Sequence, residues 1–325
     1  SRGLGDVYKR QVMDKRSKII LISGPTASGK SNFAIKIAKK VNGEIINADS
    51  MQVYKHLRIL TARPNKKEQK NIKHHLFGVV ELDKSFSTGQ WLKAAIKNIK
   101  KIQRKKKIPI LVGGTGLYFQ SLTNGLVKIP EIPINFRNKI RLIQKINGQE
   151  KFYKKLIKLD PIVRDKFNPN DVQRSIRAFE IKSFTKVSMY TWLNKTKSEF
   201  NENEFLKLYI DFKRDDLIKR ISSRTNRMIK DGALKEVKKF IKFKIKKERS
   251  VNRVIGIDEL TQYLNKKINL EKTQDLISIK TRQYAKRQAT WARSRMISWK
   301  KISAVKVDDY LKSLNKSSLK LDQIT

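Results

Sequence analysis

Cysteine is absent from this 325-residue chain, which excludes disulfides and thiolate metal sites. Histidine is almost absent. His56, His74 and His75 are the three present, too few and too clustered for a metal triad. Acidic residues are scarce, 29 Asp and Glu against 75 Lys and Arg, which leaves a formal net charge of +46. No apolar run approaches the roughly 18 residues of a membrane span. Nothing resembles a secretory signal, so the expected place is the cytoplasm, with no membrane partner.

What is present describes a globular chain with hydrophobic content of 39%, long enough for a sizeable core in two structural units. The positive charge fits a polyanionic partner such as nucleic acid. It also fits A/T-rich coding, because lysine, asparagine and isoleucine abound together in "IKKIQRKKKIPI" and "KFIKFKIKKERS". Most of the lysine excess is assigned to that bias. The opening "DVYKRQ" is what one frame of a sequencing-library adapter would encode. Residues 1–12 are therefore expected to be a non-native leader, with the native start at Met13.

The order of elements points to an α/β fold. "SKIILIS" is a short continuous apolar run, as expected of a buried parallel strand. "KSNFAIKIAKKV" follows with helical periodicity, and "GEIINADS" reads as a second strand ending at Asp49. A helix over "STGQWLKAAIKNIKKIQRKK", capped by Ser87 or Thr88, leads into a third strand, "IPILVGGTG". The expectation is a P-loop NTPase-like parallel sheet flanked by helices. Residues 13–126 would form its first part. The proline-punctuated "KIPEIPIN" would open a helical insertion over 127–203. "NEFLKLYIDF" would return as a strand, and 204–300 would complete the core with a helix pair broken at Asp231-Gly232 and a last helix from Leu270 to Trp299. The tail, 301–325, is expected to be loosely ordered.

The sharpest motif is Gly24-Pro-Thr-Ala-Ser-Gly29-Lys30-Ser31, which fits G-x-x-x-x-G-K-[S/T]. Its glycines let backbone N–H groups approach phosphate oxygens, Lys30 neutralises charge, and the Ser31 hydroxyl suits Mg²⁺. Asp49 ends a strand at the same sheet edge and could be a metal ligand, a general base or a turn residue. Thr115 in "LVGGTGLYF" would present a hydroxyl there, or simply mark a turn. Beside the loop, "PILVGG" lacks the strand-end carboxylate of a nucleotide hydrolase; Asp211 lies far downstream. Arg220 and Arg224, four apart, suit a diphosphate or a solvated basic face. "TRQYAKRQATWAR" interleaves Tyr284 and Trp291 with basic residues. That pattern suits RNA contact and base stacking, or an amphipathic helix whose aromatics are core.

Taken together, "GPTASGKS", "NADSMQVYK", "TARP", "HHL", "FSTGQW", "LVGGTGLYF", "NPNDVQRSIRAFE", "RISSR" and "TRQYAKRQATW" resemble the tRNA dimethylallyltransferases (tRNA isopentenyltransferases) of bacterial type. The match runs in the family's order from about Lys18 to Trp299. The resemblance implies transfer of a dimethylallyl group from dimethylallyl diphosphate to N6 of the adenosine 3′-adjacent to the anticodon, with Mg²⁺. It implies that Gly24, Thr26, Ala27, Ser28, Gly29, Lys30, Ser31 and Arg224 hold the diphosphate. Ser31 and Asp49 would place the metal, Asp49 would be the general base, and Thr115 would contact substrate. The anticodon stem-loop would be held by Asp49, Ser50, Met51, Gln52, Arg137, Gln173, Arg174, Ser175, Ile176, Arg177, Arg282, Lys286, Arg287 and Arg293. A monomer is expected. The chain departs from the family pattern at Leu60, at Ile257, and in "KSFTKVSMY", which lacks the usual glycine. The competing expectations are a prenyltransferase acting on free nucleotide, a P-loop small-molecule kinase using Asp211, and a non-catalytic RNA-binding protein.

Overall fold

The computed structural model describes residues 18–314 except Lys128 and Lys195. The expected leader, the Met13 start and the end of the tail lie outside the described residues. The described residues form two compact units, one running up to Gln120 and again from Phe200 onward, the other Ser121–Glu199.

The first unit is built on short, fully buried strands. β1 (Ile19–Ser23) buries all five residues and passes through the phosphate loop into α1 (Lys30–Val41), whose Phe33, Ala34, Ile37, Ala38 and Val41 lie against the sheet. After β2 (Gly43–Asn47) come a single turn, α2 (Lys66–Gln69), and the two-residue β3 (His74–His75). Helix α3 (Thr88–Arg104) starts at Ser87, where Ser87 and Gln90 form a capping box, and buries Trp91, Ala95, Ile99 and Ile102 along one face. β4 (Ile108–Gly113) runs into α4 (Gly116–Thr123).

The second unit is helical. It contains α5 (Ile134–Leu159), broken at Gly148 where φ is 71°, then α6 (Val172–Thr185) and α7 (Met189–Leu193). Its core gathers Leu156, Val163, Phe167 and Ala178. Lys186, at the glycine-less position noted in the sequence, closes α6 in the left-handed conformation with φ 61°.

The chain then returns as β5 (Phe205–Asp211), α8 (Arg214–Lys230) and α9 (Ala233–Lys242), with Asp231-Gly232 breaking the pair. α10 (Ile257–Leu264) and α11 (Leu270–Arg295) follow. Leu60 and Ile257, two of the departures, are buried in one cluster with Val53, Tyr54 and Phe240.

The sheet order is β3-β2-β4-β1-β5-β6 and every pairing is parallel. β4 therefore sits between β2 and β1, which brings the turns after three strands to one edge. Close packing enforces this: a Cβ on Gly113 would stand 2.0 Å from the Ala48 carbonyl oxygen.

Two expectations are corrected. The tail is structured where it is described: β6 (Lys300–Ser303) extends the sheet beside β5, and α12 (Val307–Ser313) packs on α1. Tyr310 meets Phe33 at 6.2 Å and Leu314 is buried. These few apolar residues are enough to order a segment that reads as a lysine-serine tail. The last long helix also stops at Arg295, not Trp299; the Trp299 ring then packs edge-on against Phe119 at 5.2 Å.

Candidate active site

The loop between β1 and α1 is tightly turned. Gly29 takes φ 85° and Ala27 φ 65°, while Ser28 N–H donates to the Pro25 carbonyl at 3.2 Å. Lys30 Nζ donates to the same carbonyl at 3.1 Å. The Ser28 hydroxyl is buried without a hydrogen-bond partner among the described residues.

A cavity of about 630 Å³ opens over this loop. Thr26, Ala27, Gly29, Lys30 and Ser31 line it from below, Asp49 and Gln52 from one side, and Lys219, Arg220, Ser223, Arg224 and Arg227 from α8. Five cationic side chains thus face one carboxylate. Burial pushes the Lys30 ammonium down to about 8, opposed by Asp49 and assisted by Arg224. Burial also lowers the Arg224 guanidinium, with Asp49 opposing. Such groups are destabilised without an anion and are set to take one. A diphosphate fits this donor set. The Ser31 hydroxyl and the Asp49 carboxylate, lining one cavity, also suit a Mg²⁺ shared with diphosphate oxygens.

Asp49 sits two residues beyond β2, in a turn rather than at the strand end. Its N–H donates to Asn47 Oδ1 at 2.9 Å, and Asn47 Nδ2 returns to the Asp49 carbonyl and to that of Leu76. The Trp91 indole N–H holds the Asn47 carbonyl at 2.8 Å, and the Trp91 ring stacks on Tyr118 at 4.2 Å. Asp49 Oδ1 accepts from Met51 N–H at 2.9 Å. Its other oxygen has no hydrogen-bond partner among the described residues.

Thr115 is not among the residues lining the cavity. Its hydroxyl accepts from Ser50 N–H at 2.9 Å and donates to Ser50 Oγ at 3.3 Å, with the Tyr284 phenol nearby. Burial, with Asp49 nearby, raises the Tyr284 phenol above its ordinary value. Tyr284 and Trp291 therefore resolve as inward-facing residues of α11. The Trp291 indole N–H lies where a side chain at Gly116 would stand, and it has no hydrogen-bond partner among the described residues.

Gln288, which the sequence reading passed over, ties three pieces together. Its Oε1 accepts from Thr26 N–H at 2.8 Å, its Nε2 donates to the Gly114 carbonyl at 3.0 Å, and its side chain meets Tyr284. The spacing carried a signal, since Tyr284 and Gln288 are four apart and share a helix face. Lys219 and Arg227 were likewise missed, hidden in a generally basic chain.

The remaining expected residues fall into two groups. On the first unit, Arg282, Lys286, Arg287 and Arg293 are exposed along α11, with Arg287 over the Tyr284 ring at 5.9 Å. Met51 packs beside a buried cluster, and Gln52 donates to the Thr61 carbonyl at 2.8 Å. On the helical unit, Arg137, Arg141 and Arg177 converge on the buried Glu180 at 3.3, 3.8 and 3.2 Å. Gln173 and Arg174 are exposed and Ile176 is half-buried. Arg174 pairs with Asp171 at 3.4 Å. Ser175 is buried and accepts from Gln149 at 2.9 Å, so its side chain is turned inward. Asp211 is exposed at the end of β5 and takes no part in the cavity.

A parallel sheet carrying a phosphate loop under a cationic cavity defines an α/β enzyme of the P-loop type that handles a phosphorylated substrate. Residues 52–295 match the family model of IPP transferase. The tRNA dimethylallyltransferase of Pelagibacter ubique (strain HTCC1062) is 72% identical over 313 residues, 96% of this chain and 100% of that protein. That of Rickettsia massiliae (strain Mtu5) is 38% identical, over 89% of this chain and 80% of that protein. Among solved structures, the Staphylococcus epidermidis tRNA delta(2)-isopentenylpyrophosphate transferase superposes with a TM-score of 0.65 at 32% identity, covering 92% of this chain and 99% of that one. A eukaryotic dimethylallyltransferase acting on tRNA reaches 0.80 at 31% identity, covering 93% and 77%. The chain belongs to the IPP transferase family.

Proposed function

We propose that the protein transfers a dimethylallyl group from dimethylallyl diphosphate to N6 of the adenosine 3′-adjacent to the anticodon (tRNA position 37), releasing diphosphate. The observation that carries this is one carboxylate, Asp49, set in a cavity of five cationic side chains above a phosphate loop. The relatives' names supply the substrates by similarity.

An adenine N6 amine is a weak nucleophile because its lone pair is delocalised into the ring. An allylic diphosphate offsets this if its C1–O bond can break to give a delocalised cation. Lys30, Arg224 and the loop N–H groups would stabilise the charge that builds on the departing diphosphate. Mg²⁺, held by Ser31 with Asp49 nearby, would add Lewis-acid stabilisation of the same oxygens. As N6 bonds to C1, the free oxygen of Asp49 would take the N6 proton. Asn47, Trp91, Thr115 and Tyr284 would keep that carboxylate in place. The target base must leave its stack to reach the cavity. No helix among the described residues is long and apolar enough to cross a membrane, and a monomer working in the cytoplasm is the setting we propose.

The test is direct. The protein is mixed with unmodified tRNA, dimethylallyl diphosphate and Mg²⁺, and the tRNA is digested for mass spectrometry. The expected result is one added C5 unit on that adenosine. No addition, together with turnover of ATP, would replace this reading with a kinase.

A further inference from the structure

A second concavity, of about 620 Å³, lies away from the diphosphate cavity. Its lining includes His56, Ile59 and, from α9 and the residue after it, Lys235, Lys239, Lys242 and Phe243. The three lysines are exposed and spaced four and three apart, so they share one helix face. None of them joins an ion pair among the described residues. Phe243 is 49% exposed, and its ring meets the His56 ring at 5.2 Å and 39°. His56 is held there with φ 65°. A half-exposed phenylalanine paired with an imidazole and bordered by lysines is poorly explained as core or as a solvated face.

Two acids also line the groove. Glu236 is committed, because its two carboxylate oxygens accept from Ile59 and Leu60 N–H at 2.9 Å each. Asp231 is exposed at the end of α8. The same turn serves both concavities: His56 and Ile59 line this groove, while Thr61 and Ala62 line the diphosphate cavity.

We infer that this groove is a second RNA contact, which takes a single-stranded nucleotide of the substrate tRNA with its base on the Phe243–His56 face and its phosphates on Lys235, Lys239 and Lys242. An aromatic platform flanked by cations on a helix fits nucleotides without regard to sequence. It fits neither an acidic peptide, which has no use for the platform, nor an apolar partner, which would leave three lysines uncompensated. The inference rests on the reading of the chain as a tRNA-modifying enzyme.

The experiment uses the full chain and whole unmodified tRNA, with binding followed by fluorescence anisotropy across a KCl series. The triple variant Lys235→Ala/Lys239→Ala/Lys242→Ala is expected to weaken binding by about tenfold or more and to cut the log Kd against log salt slope by about 2. Phe243→Ala is expected to weaken binding by about tenfold with little change in slope, and Phe243→Tyr to restore it. In all three, KM for dimethylallyl diphosphate should stay within about twofold of wild type, and thermal melts should match, which separates lost contact from lost fold. If folded variants bind tRNA with wild-type affinity and slope, the groove is not an RNA contact. The same holds if free adenosine monophosphate, but not tRNA, loses binding. Should the wild type bind tRNA yet fail to prenylate it while the variants lose binding, the groove stands and the transferase reading falls.

Discussion

Asp49 reaches the cavity from a turn whose every backbone direction is fixed by a named partner, from Asn47 to Met51. Asp49→Ala is expected to lower kcat by about 10²–10⁴ while leaving tRNA affinity within a few-fold, measured by single-turnover transfer and by anisotropy. Near-normal turnover would remove it as the base. Lys30 gives a pH dependence of definite sign. Its proton affinity in the free protein is depressed to about 8, so it is charged below that pH and loses its charge above it. KM for dimethylallyl diphosphate should therefore rise as pH passes about 8, and Lys30→Arg should flatten that rise, since a guanidinium stays protonated. At this scale the sequence was informative where chemistry needs a fixed motif, as in Gly24 to Ser31. It was silent where a side chain acts by position alone. Gln288 is an ordinary polar residue until α11 sets it between Thr26 and Gly114.

Among the elements, α11 does two jobs at once. Its exposed face carries Arg282, Lys286, Arg287 and Arg293, and its inner face carries Tyr284, Gln288 and Trp291. Gln288→Ala would cut the helix from the phosphate loop. It should leave Thr26 N–H without its acceptor, lower kcat by about tenfold or more, and change tRNA affinity little, because the exposed face is untouched. Buried strands, with their unbroken apolar runs, were legible, and so was the helix break at Asp231-Gly232. β3 and β6 were not. A two-residue strand has no periodicity to detect, and Lys300–Ser303 is mostly exposed, so its only signal is pairing with β5.

For the whole molecule, charge separates two kinds of binding. Surface cations are screened within about a Debye length, whereas Lys30 and Arg224 are half-buried and partly desolvated in the cavity wall. Raising KCl from 50 to 200 mM should weaken tRNA binding by at least about 10², yet shift KM for dimethylallyl diphosphate by less than about threefold. An equal effect on both would mean that the cavity is as open to ions as the surface is. The +46 charge could not announce this division from composition, because it sums one cavity, several faces and a coding bias into one figure.

β4 lies directly between β2 and β1, and Gly113 presses on Ala48 too closely for any side chain. Asp49, Thr115 and the phosphate loop therefore hang from three neighbouring strands, with separations set by the sheet's own hydrogen-bond spacing. The relative placement of these three pieces then holds for as long as the core sheet stays folded. On heating, the rate per folded molecule should keep climbing smoothly until the core melts and then vanish with it, so that activity serves as a thermometer of the central sheet.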